Sequence, residues 1–339
     1  MLEASLGRNI SHSTFVFRGF PGLQQHRQLL VWPFSASYLW VLLGNSLLVY
    51  VICSVESLHS PMYLLICVLC VVDILVVTAI VPNMLLSFLF NWDEISLAGC
   101  LTQMFFIHFL SSLESTLLLA MALDRYVAIC QPLHYTEIIE SSMPVKLLLF
   151  TLTRSISIMA TLVGLAGSLQ FCGSNTIRHY YCDHMALVSL ACDSTDRNSA
   201  AGLAVIIFFV GMDIPLIFLS YMKILSIVLR AAPAGEDRWK AFHTCGTHLM
   251  AMMCFYLVGS VTFLSHNLNI PLSTDANTGM GLMYILFPAM VNPVIYGVRT
   301  KEIRNGFYKI FKLKAKKIMA AEVSPAQDGQ TGQKDPQMC

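Results

Sequence analysis

An all-α membrane protein, built as a seven-transmembrane helix bundle with a short amphipathic helix on its inner face, is the fold this sequence predicts. Three observations predict it. The 339 residues are 56% hydrophobic and only 12% charged, with a mean hydropathy of +0.65, whereas a soluble domain carries about 25% charged residues. The apolar residues gather into seven runs, each at or above the roughly 20 residues that cross a bilayer as a helix. The last run is followed by Arg299–Lys317, with eight Lys or Arg against the single acid Glu302.

Residues 1–28 read as a short polar N-terminus with no basic-then-apolar leader pattern. They hold an N-glycosylation sequon at Asn9 and a turn at Phe20-Pro21-Gly22-Leu23. The bundle is expected over 29–298. Leu29–Cys53 is the first span, with Asn45 inside it. Met62–Phe90 is the second, broken only by Asp73 and bent at Pro82, because proline removes a backbone donor. Leu97–Leu123 is the third, with Cys100 at its head and Glu114 deep within. Leu147–Leu169 is the fourth, where Arg154 lies two turns in and is expected to snorkel toward the inner face. Ala200–Leu229, with Asp213 and Pro215, Ala241–Ser265 and Leu272–Val298 complete the seven.

The loop Gln170–Asn198 is too long for a simple turn, and loops of that length are often functional. In Arg299–Lys317, Ile303, Phe307, Ile310 and Phe311 recur at helical spacing among the bases, the pattern of a helix lying on anionic lipid. The tail 318–339 is polar and expected to be disordered. The positive-inside rule puts this end in the cytoplasm. An odd number of spans then puts the N-terminus outside, where Asn9 can be glycosylated and Cys100, Cys172, Cys182 and Cys192 meet an oxidising compartment. These four cysteines allow three pairings, which spacing does not decide. No zinc site is expected among the eleven cysteines of the chain. Net charge is +1 and points to no nucleic-acid partner.

Met121–Tyr135 reads MALDRYVAICQPLHY and sets Asp124, Arg125 and Tyr126 where the third span leaves the apolar zone. Charge at that depth is costly unless it has a task. Taken alone, it is an interfacial ion pair. Taken with Leu58-His59-Ser60-Pro61-Met62-Tyr63, Ser220-Tyr221, Lys240-Ala241-Phe242-His243-Thr244-Cys245-Gly246-Thr247-His248-Leu249 and Asn292-Pro293-Val294-Ile295-Tyr296-Gly297-Val298-Arg299, it resembles the signature set of the odorant receptors, a branch of the rhodopsin-like G-protein-coupled receptors. The motifs run in order from about residue 17 to 312. Gly19-Phe20-Pro21-Gly22-Leu23, Asp213 with Ser220-Tyr221, and Arg299-Thr300-Lys301-Glu302-Ile303-Arg304 resemble the class I, or fish-like, subclass.

That resemblance implies a receptor in the plasma membrane. It would bind a small volatile odorant inside the bundle and activate a stimulatory olfactory-type G protein to raise cyclic AMP. Its implied disulfides are Cys100–Cys182, leaving Cys172–Cys192. Its implied ligand residues are His108, Ser112, Met185, Gly202, Ile206, Phe263 and Asn267. Helical spacing adds Ser111, since His108, Ser111, Ser112 and Ser115 fall on one polar face. Its implied transmission residues are Asp124, Arg125, Tyr126, Tyr221, His243 and Tyr296, with His248 beside them. Arg125 would leave Asp124 as the sixth span swings outward.

Asp73 and Glu114 with Asn45 and Asn292 are candidates to hold a sodium ion, an allosteric cofactor rather than a catalytic one; a proton-sharing network with no metal is the alternative. Acid-binding relatives place an arginine near the outer end of span six, but here that place reads His266-Asn267. A neutral amide does not offset carboxylate desolvation, so a neutral odorant is expected. Phe255-Tyr256-Leu257-Val258 lacks the proline that many rhodopsin-like receptors carry in span six.

The competing readings are a metabolite sensor built on the same receptor and a transporter. A transporter calls for inverted repeats and broken helices, which the hydropathy pattern does not show. An enzyme is not expected, for want of a nucleophile-base set, a phosphate loop or an HExxH motif.

Overall fold

The computed structural model describes residues 11–140, 142–231, 245–257 and 272–322, with Trp239 and Phe242. Asn9, His243, Phe263, His266 and Asn267 lie outside the described residues, and of Ile206 only the backbone is described, on a helix. Six helices are long and apolar enough to cross a membrane, and Cys245–Leu257 is a shorter apolar helix between the fifth and the last of them.

The first span is α1, Val31–Ser54. It starts two residues later than expected because Pro21–Leu30 is wound as a 3-10 helix. The second span is two helices, α2 (Pro61–Thr78) and α3 (Val81–Phe90). Pro82 at the head of α3 carries no N–H, and the chain breaks at Ala79-Ile80. The gap is closed from the third span, α4 (Leu97–Cys130): Gln103 Nε2 donates to the Ala79 carbonyl at 2.9 Å. A short helix, α5 (Tyr135–Glu140), leads to α6 (Met143–Gly167), the fourth span. A one-turn helix, α7 (His184–Val188), lies in the long loop, and α8 (Asp196–Ala231) is the fifth span. We number Cys245–Leu257 α9; α10 (Thr274–Arg299) is the seventh span and α11 (Lys301–Glu322) the terminal helix. The helix therefore runs on into residues expected to be disordered from 318.

The bundle is organised about α4, which packs on α2, α6 and α8, while α1 packs on α2, α10 and α11. Two prolines, Pro288 and Pro293, interrupt the hydrogen-bond ladder of α10. Pro293 deprives the Ala289 carbonyl of its helical donor, and Asn45 Nδ2 supplies one at 3.0 Å while also reaching the Val41 carbonyl at 3.0 Å. Within a bilayer no water is present to do this. Asn45 is thus a clamp between α1 and the weak point of α10. Terminal helix α11 buries Ile303 completely and lays Gly306 against Val51 and Leu58. Tyr308 and Phe311 stay exposed among its bases.

One end of the bundle carries a cap that hydropathy does not reveal. Residues 14–17 were expected in a featureless polar segment, yet Thr14–Phe17 forms strand β1. It pairs antiparallel with β2 (Glu94–Ser96) and parallel with β3 (Thr176–Ile177), in the order β2-β1-β3. Period-two alternation is the cause: Phe15 and Phe17 point inward and are buried, and Thr14 is exposed. Phe15 meets Phe171 edge to face at 5.2 Å, and Arg27 pairs with Asp93 at 3.0 Å beneath the sheet. Cys100 is bonded to Cys182, with Cα atoms 5.3 Å apart, and Cys172 to Cys192, at 5.8 Å. The first bond ties the long loop to the head of α4, and the Cys182 amide also donates to Gln103 Oε1 at 2.9 Å.

Replacing Asn45 by Ala strands the Ala289 carbonyl in an apolar setting. The expected loss is about 1–3 kcal/mol, read as a lowered melting temperature of the purified protein. An unchanged melting temperature would refute the clamp.

Candidate functional site

The polar residues of α4 form one stripe by spacing, but the structure divides them among four neighbours. Ser111 faces Tyr284 of α10. Ser112 donates to Ser155 of α6 at 2.6 Å. Ser115 donates to Asp213 of α8 and stands 2.9 Å from the Tyr256 hydroxyl of α9. Consecutive residues of a helix are about 100° apart, so Ser111 and Ser112 reach different helices. The Ser112 hydroxyl is thus engaged with α6.

Arg154, expected to snorkel toward the inner face, instead turns to α4 and donates to Thr116 at 3.2 Å. Its guanidinium lies over the Phe209 ring at 4.7 Å and the Phe208 ring at 5.4 Å, a cation–π seat worth about 2 kcal/mol when desolvated. From there its charge acts on Asp213. The acid for which sequence suggested no partner thus has Ser115 as its donor and Arg154 as its counter-charge.

Toward the cap, His108 lies beneath the long loop. Asp183 caps α7, accepting from the Ala186 amide at 3.1 Å. Burial opposes its charge, but His179, His108, the Ala186 amide and His184 outweigh that and hold its carboxyl below the ordinary value. Burial, with His108 nearby, pushes His184 down to about 4, so its imidazole is neutral near pH 7. Nε2 of His108 and Nε2 of His184 are both buried and without hydrogen-bond partners.

Two glycines let this roof settle. A Cβ at Gly281 of α10 would stand 2.6 Å from both His179 Cε1 and the Tyr181 hydroxyl, and Gly202 of α8 lies against His184. Met185 sits half-buried on α7. The structure therefore brings His108, Met185 and Gly202 to the roof, together with His184, which sequence reasoning passed over. Its place directly after Asp183, in a loop disulfide-tied to α4, was the available signal.

At the far end, α4 continues straight through Asp124, Arg125 and Tyr126. Asp124 feels the charge of Arg125 beside it and accepts from the Tyr135 hydroxyl at 2.9 Å; burial and then this bond push the Tyr135 phenol up to about 12. The charge of Arg125 reaches Tyr221, Cys245 and His248. The rings of His248 and Tyr296 are 5.7 Å apart. The Tyr221 and Tyr296 hydroxyls, Arg125 Nε and His248 Nδ1 are buried without partners.

Between the two ends, Asn292 Nδ2 donates to Asp73 Oδ2 at 2.9 Å. Asp73 and Asn45 are fully buried, and Oδ1 of each has no donor. Both are hard oxygen acceptors of the kind a sodium ion takes, and the Glu114 carboxyl is near enough to feel Asp73. Cys67 and Cys70 have the two-residue spacing of metal-binding thiols but lie on apolar α2. Among the described residues, no three His, Cys, Asp or Glu side chains stand together as a metal cluster.

The sequence profile of the olfactory receptor family matches residues 34–314. Olfactory receptor 52K2 of Homo sapiens is 40% identical over 306 residues, covering 90% of this chain and 97% of its own. Olfactory receptor 51E2 is 38% identical over 313 residues in both Homo sapiens and Mus musculus, covering 92% of this chain and 98% of the relative. These relatives are of the class I type. The family consists of multi-pass membrane receptors, not enzymes. With its stacked spans, capped head and divided polar stripe on α4, the chain belongs to the olfactory receptor family.

Proposed function

We propose that this receptor sits in the plasma membrane with its β-capped end outside, binds a small neutral odorant beneath the long loop, and activates a stimulatory olfactory-type G protein that raises cyclic AMP. The observation that carries the reading is the junction at Ser115. One hydroxyl ties α4 to Asp213 of α8 and Tyr256 of α9, between the His108 roof and the Arg125 end. A ligand pressing on the roof side of α4 therefore acts on a bond that also positions α9.

Several features support the finer parts. The open Nε2 atoms of His108 and His184 suit a ligand hydroxyl or carbonyl, and neutral groups are the ones a site without a fixed cation accepts most cheaply. Met185, Gly202, Ser111, Ser112, Ile206, Phe263 and Asn267 are the other residues proposed to line it. The eight bases of Arg299–Lys317 support an inner C-terminus, and an outer N-terminus makes Asn9 a glycosylation site. Cys100–Cys182 and Cys172–Cys192 would then persist outside the cell.

At the inner end, Arg125, Tyr221, His243 and Tyr296 are proposed to exchange partners as α9 moves out. Leu133, 94% exposed on the Pro132–His134 turn, offers an apolar knob to the G protein. Asp73 and Asn45 would hold sodium through their open oxygens, with Asn292 positioning Asp73 and Glu114 adding negative charge. A bound cation there would supply counter-charge to the resting packing, which shifts the population only as far as it prefers that packing.

In a cyclic AMP screen of volatile compounds, neutral alcohols, aldehydes and ketones are expected to be the best agonists. Arg125→Ala should abolish the response, and Tyr256→Phe should weaken it at unchanged surface expression. Carboxylic acids as the best agonists would overturn the ligand class, and a full response from Arg125→Ala would overturn the coupling.

Raising sodium should weaken agonist potency in the wild type, and Asp73→Asn should remove that dependence; sodium-independent potency in the wild type rejects the cation site.

His184 stays neutral in the folded receptor down to about pH 4, whereas an unfolded histidine titrates near 6.5. The unfolded chain binds the extra proton between these values, so stability falls as pH drops through that window. Melting curves at pH 7.4 and 5.5 should show a smaller loss for His184→Gln than for the wild type. Equal losses would count against a buried neutral His184.

A further inference from the structure

The tail-side halves of α8 and α9 leave between them a groove of about 430 Å³. It belongs neither to the roof nor to the sodium candidate. Phe218, Met222 and Leu225 of α8 and Gly246 and Leu249 of α9 form its walls, and Tyr221 and Cys245 its floor. The volume is that of a small-molecule site, about 300–1,000 Å³, and far exceeds the gaps between interdigitated side chains. We propose that this groove seats one acyl chain of a membrane phospholipid.

Three observations point to that occupant. The groove opens onto the lipid-facing side of the bundle: Phe218 is 60% exposed and Met222 47%, and neighbouring Leu219 and Met253 extend the same apolar face. It is thus continuous with the surface that every spanning helix of this receptor shows to the bilayer. Its lining carries no charge, and its two polar groups, the Tyr221 hydroxyl and the Cys245 thiol, lie at the buried floor. Among the described lining residues, a ligand needing a headgroup contact within the groove finds none. Left empty, the wall atoms would lose their dispersion partners, and a flexible methylene chain is the material the surrounding bilayer offers at that depth.

The seat has a mechanical consequence. Its two walls belong to different helices, so its width is the separation of α8 and α9. Its floor residues Tyr221 and Cys245 lie within reach of the Arg125 charge. A chain held there favours the separation it fits, and acts on the Arg125 end from the lipid side.

Gly246 allows a direct test, because a Cβ added there meets nothing within 4 Å. Gly246→Leu projects a branched side chain into the groove from a position with room for a Cβ, and Gly246→Ala gains helix propensity while leaving it open. The full-length receptor is reconstituted in phosphatidylcholine vesicles whose acyl chains carry a photoactivatable diazirine. After illumination, labelled peptides are identified by mass spectrometry. Label is expected to concentrate on residues 218–225 and 245–249, above the level on the exposed face of α1 at Leu39, Leu43 and Leu47. Gly246→Leu should reduce groove labelling about tenfold, the equivalent of roughly two displaced methylenes, with labelling of α1 unchanged, and Gly246→Ala should keep it. Should Gly246→Leu fail to fold, Leu225→Trp fills the groove from the other wall with the same expectation. Labelling no denser than on α1, labelling indifferent to the filled groove, or cross-links from the groove to a second receptor copy would each overturn the proposal.

Discussion

Asn45 spends one amide group on two backbone carbonyls, and that small fact states the constraint under which the whole bundle is built. In the bilayer core an open polar group finds no water, so another span must close it. Pro293 opens the Ala289 carbonyl and Asn45 of α1 closes it. The break before Pro82 leaves the Ala79 carbonyl to Gln103 of α4. Asp73 is met by Asn292 of α10 and Asp213 by Ser115 of α4. Each closure joins two spans at a named atom. Apolar packing, where lipid tails are as good a neighbour as leucine, would leave the spans free to slide; these bonds set their register.

The closures are incomplete in a patterned way. Oδ1 of Asn45, Asp73 and Asp213, Nε of Arg125 and the hydroxyls of Tyr221 and Tyr296 are all buried and open. An unsatisfied buried group costs about 1–3 kcal/mol. Scattered, such groups would only weaken the fold. Here Arg125, Tyr221 and Tyr296 gather theirs at the Arg125 end, where a receptor of this family would exchange one set of contacts for another, and His108 and His184 gather theirs at the roof. Groups left open in one packing are the groups a second packing can reward, and two arrangements of similar stability are what a ligand needs in order to shift a population.

Much of this was legible in the sequence because hydropathy and the proline rules act locally. The spans, the bend at Pro82 and the amphipathic terminal helix follow from residues near one another in the chain. What escaped depends on which neighbour a side chain meets. His108, Ser111, Ser112 and Ser115 do share a stripe, but its three serines meet four different helices. Arg154 has the length to reach a membrane face, and nothing in its own helix says that Phe208 and Phe209 of α8 offer a closer seat. Asp124 and Arg125 read as a pair because they are adjacent in sequence, and nothing in that adjacency says that Tyr135 also donates to Asp124. Strand β1 did carry its signal, the alternation of Phe15 and Phe17, but four residues of it are easily lost in a polar segment.

The two ends of α4 explain why motion belongs elsewhere. At its head, Cys100 is covalently tied to the long loop, and Gln103 holds both that loop and the break in the second span. Along its length, Ser112 and Thr116 fasten it to α6. A helix held this way serves as the fixed member. Helix α9 is joined to it through the hydroxyl pair Tyr256–Ser115, and the same Ser115 oxygen also serves Asp213. Ser115 donates its hydroxyl hydrogen to Asp213 while its oxygen accepts from the Tyr256 hydroxyl, so a displacement at Ser115 is felt by both α8 and α9. On the proposed activation, the Asp124–Arg125 stretch would change its surroundings without itself moving, with α8 and α9 shifting past it while α4 holds the roof and the Arg125 end at a constant distance.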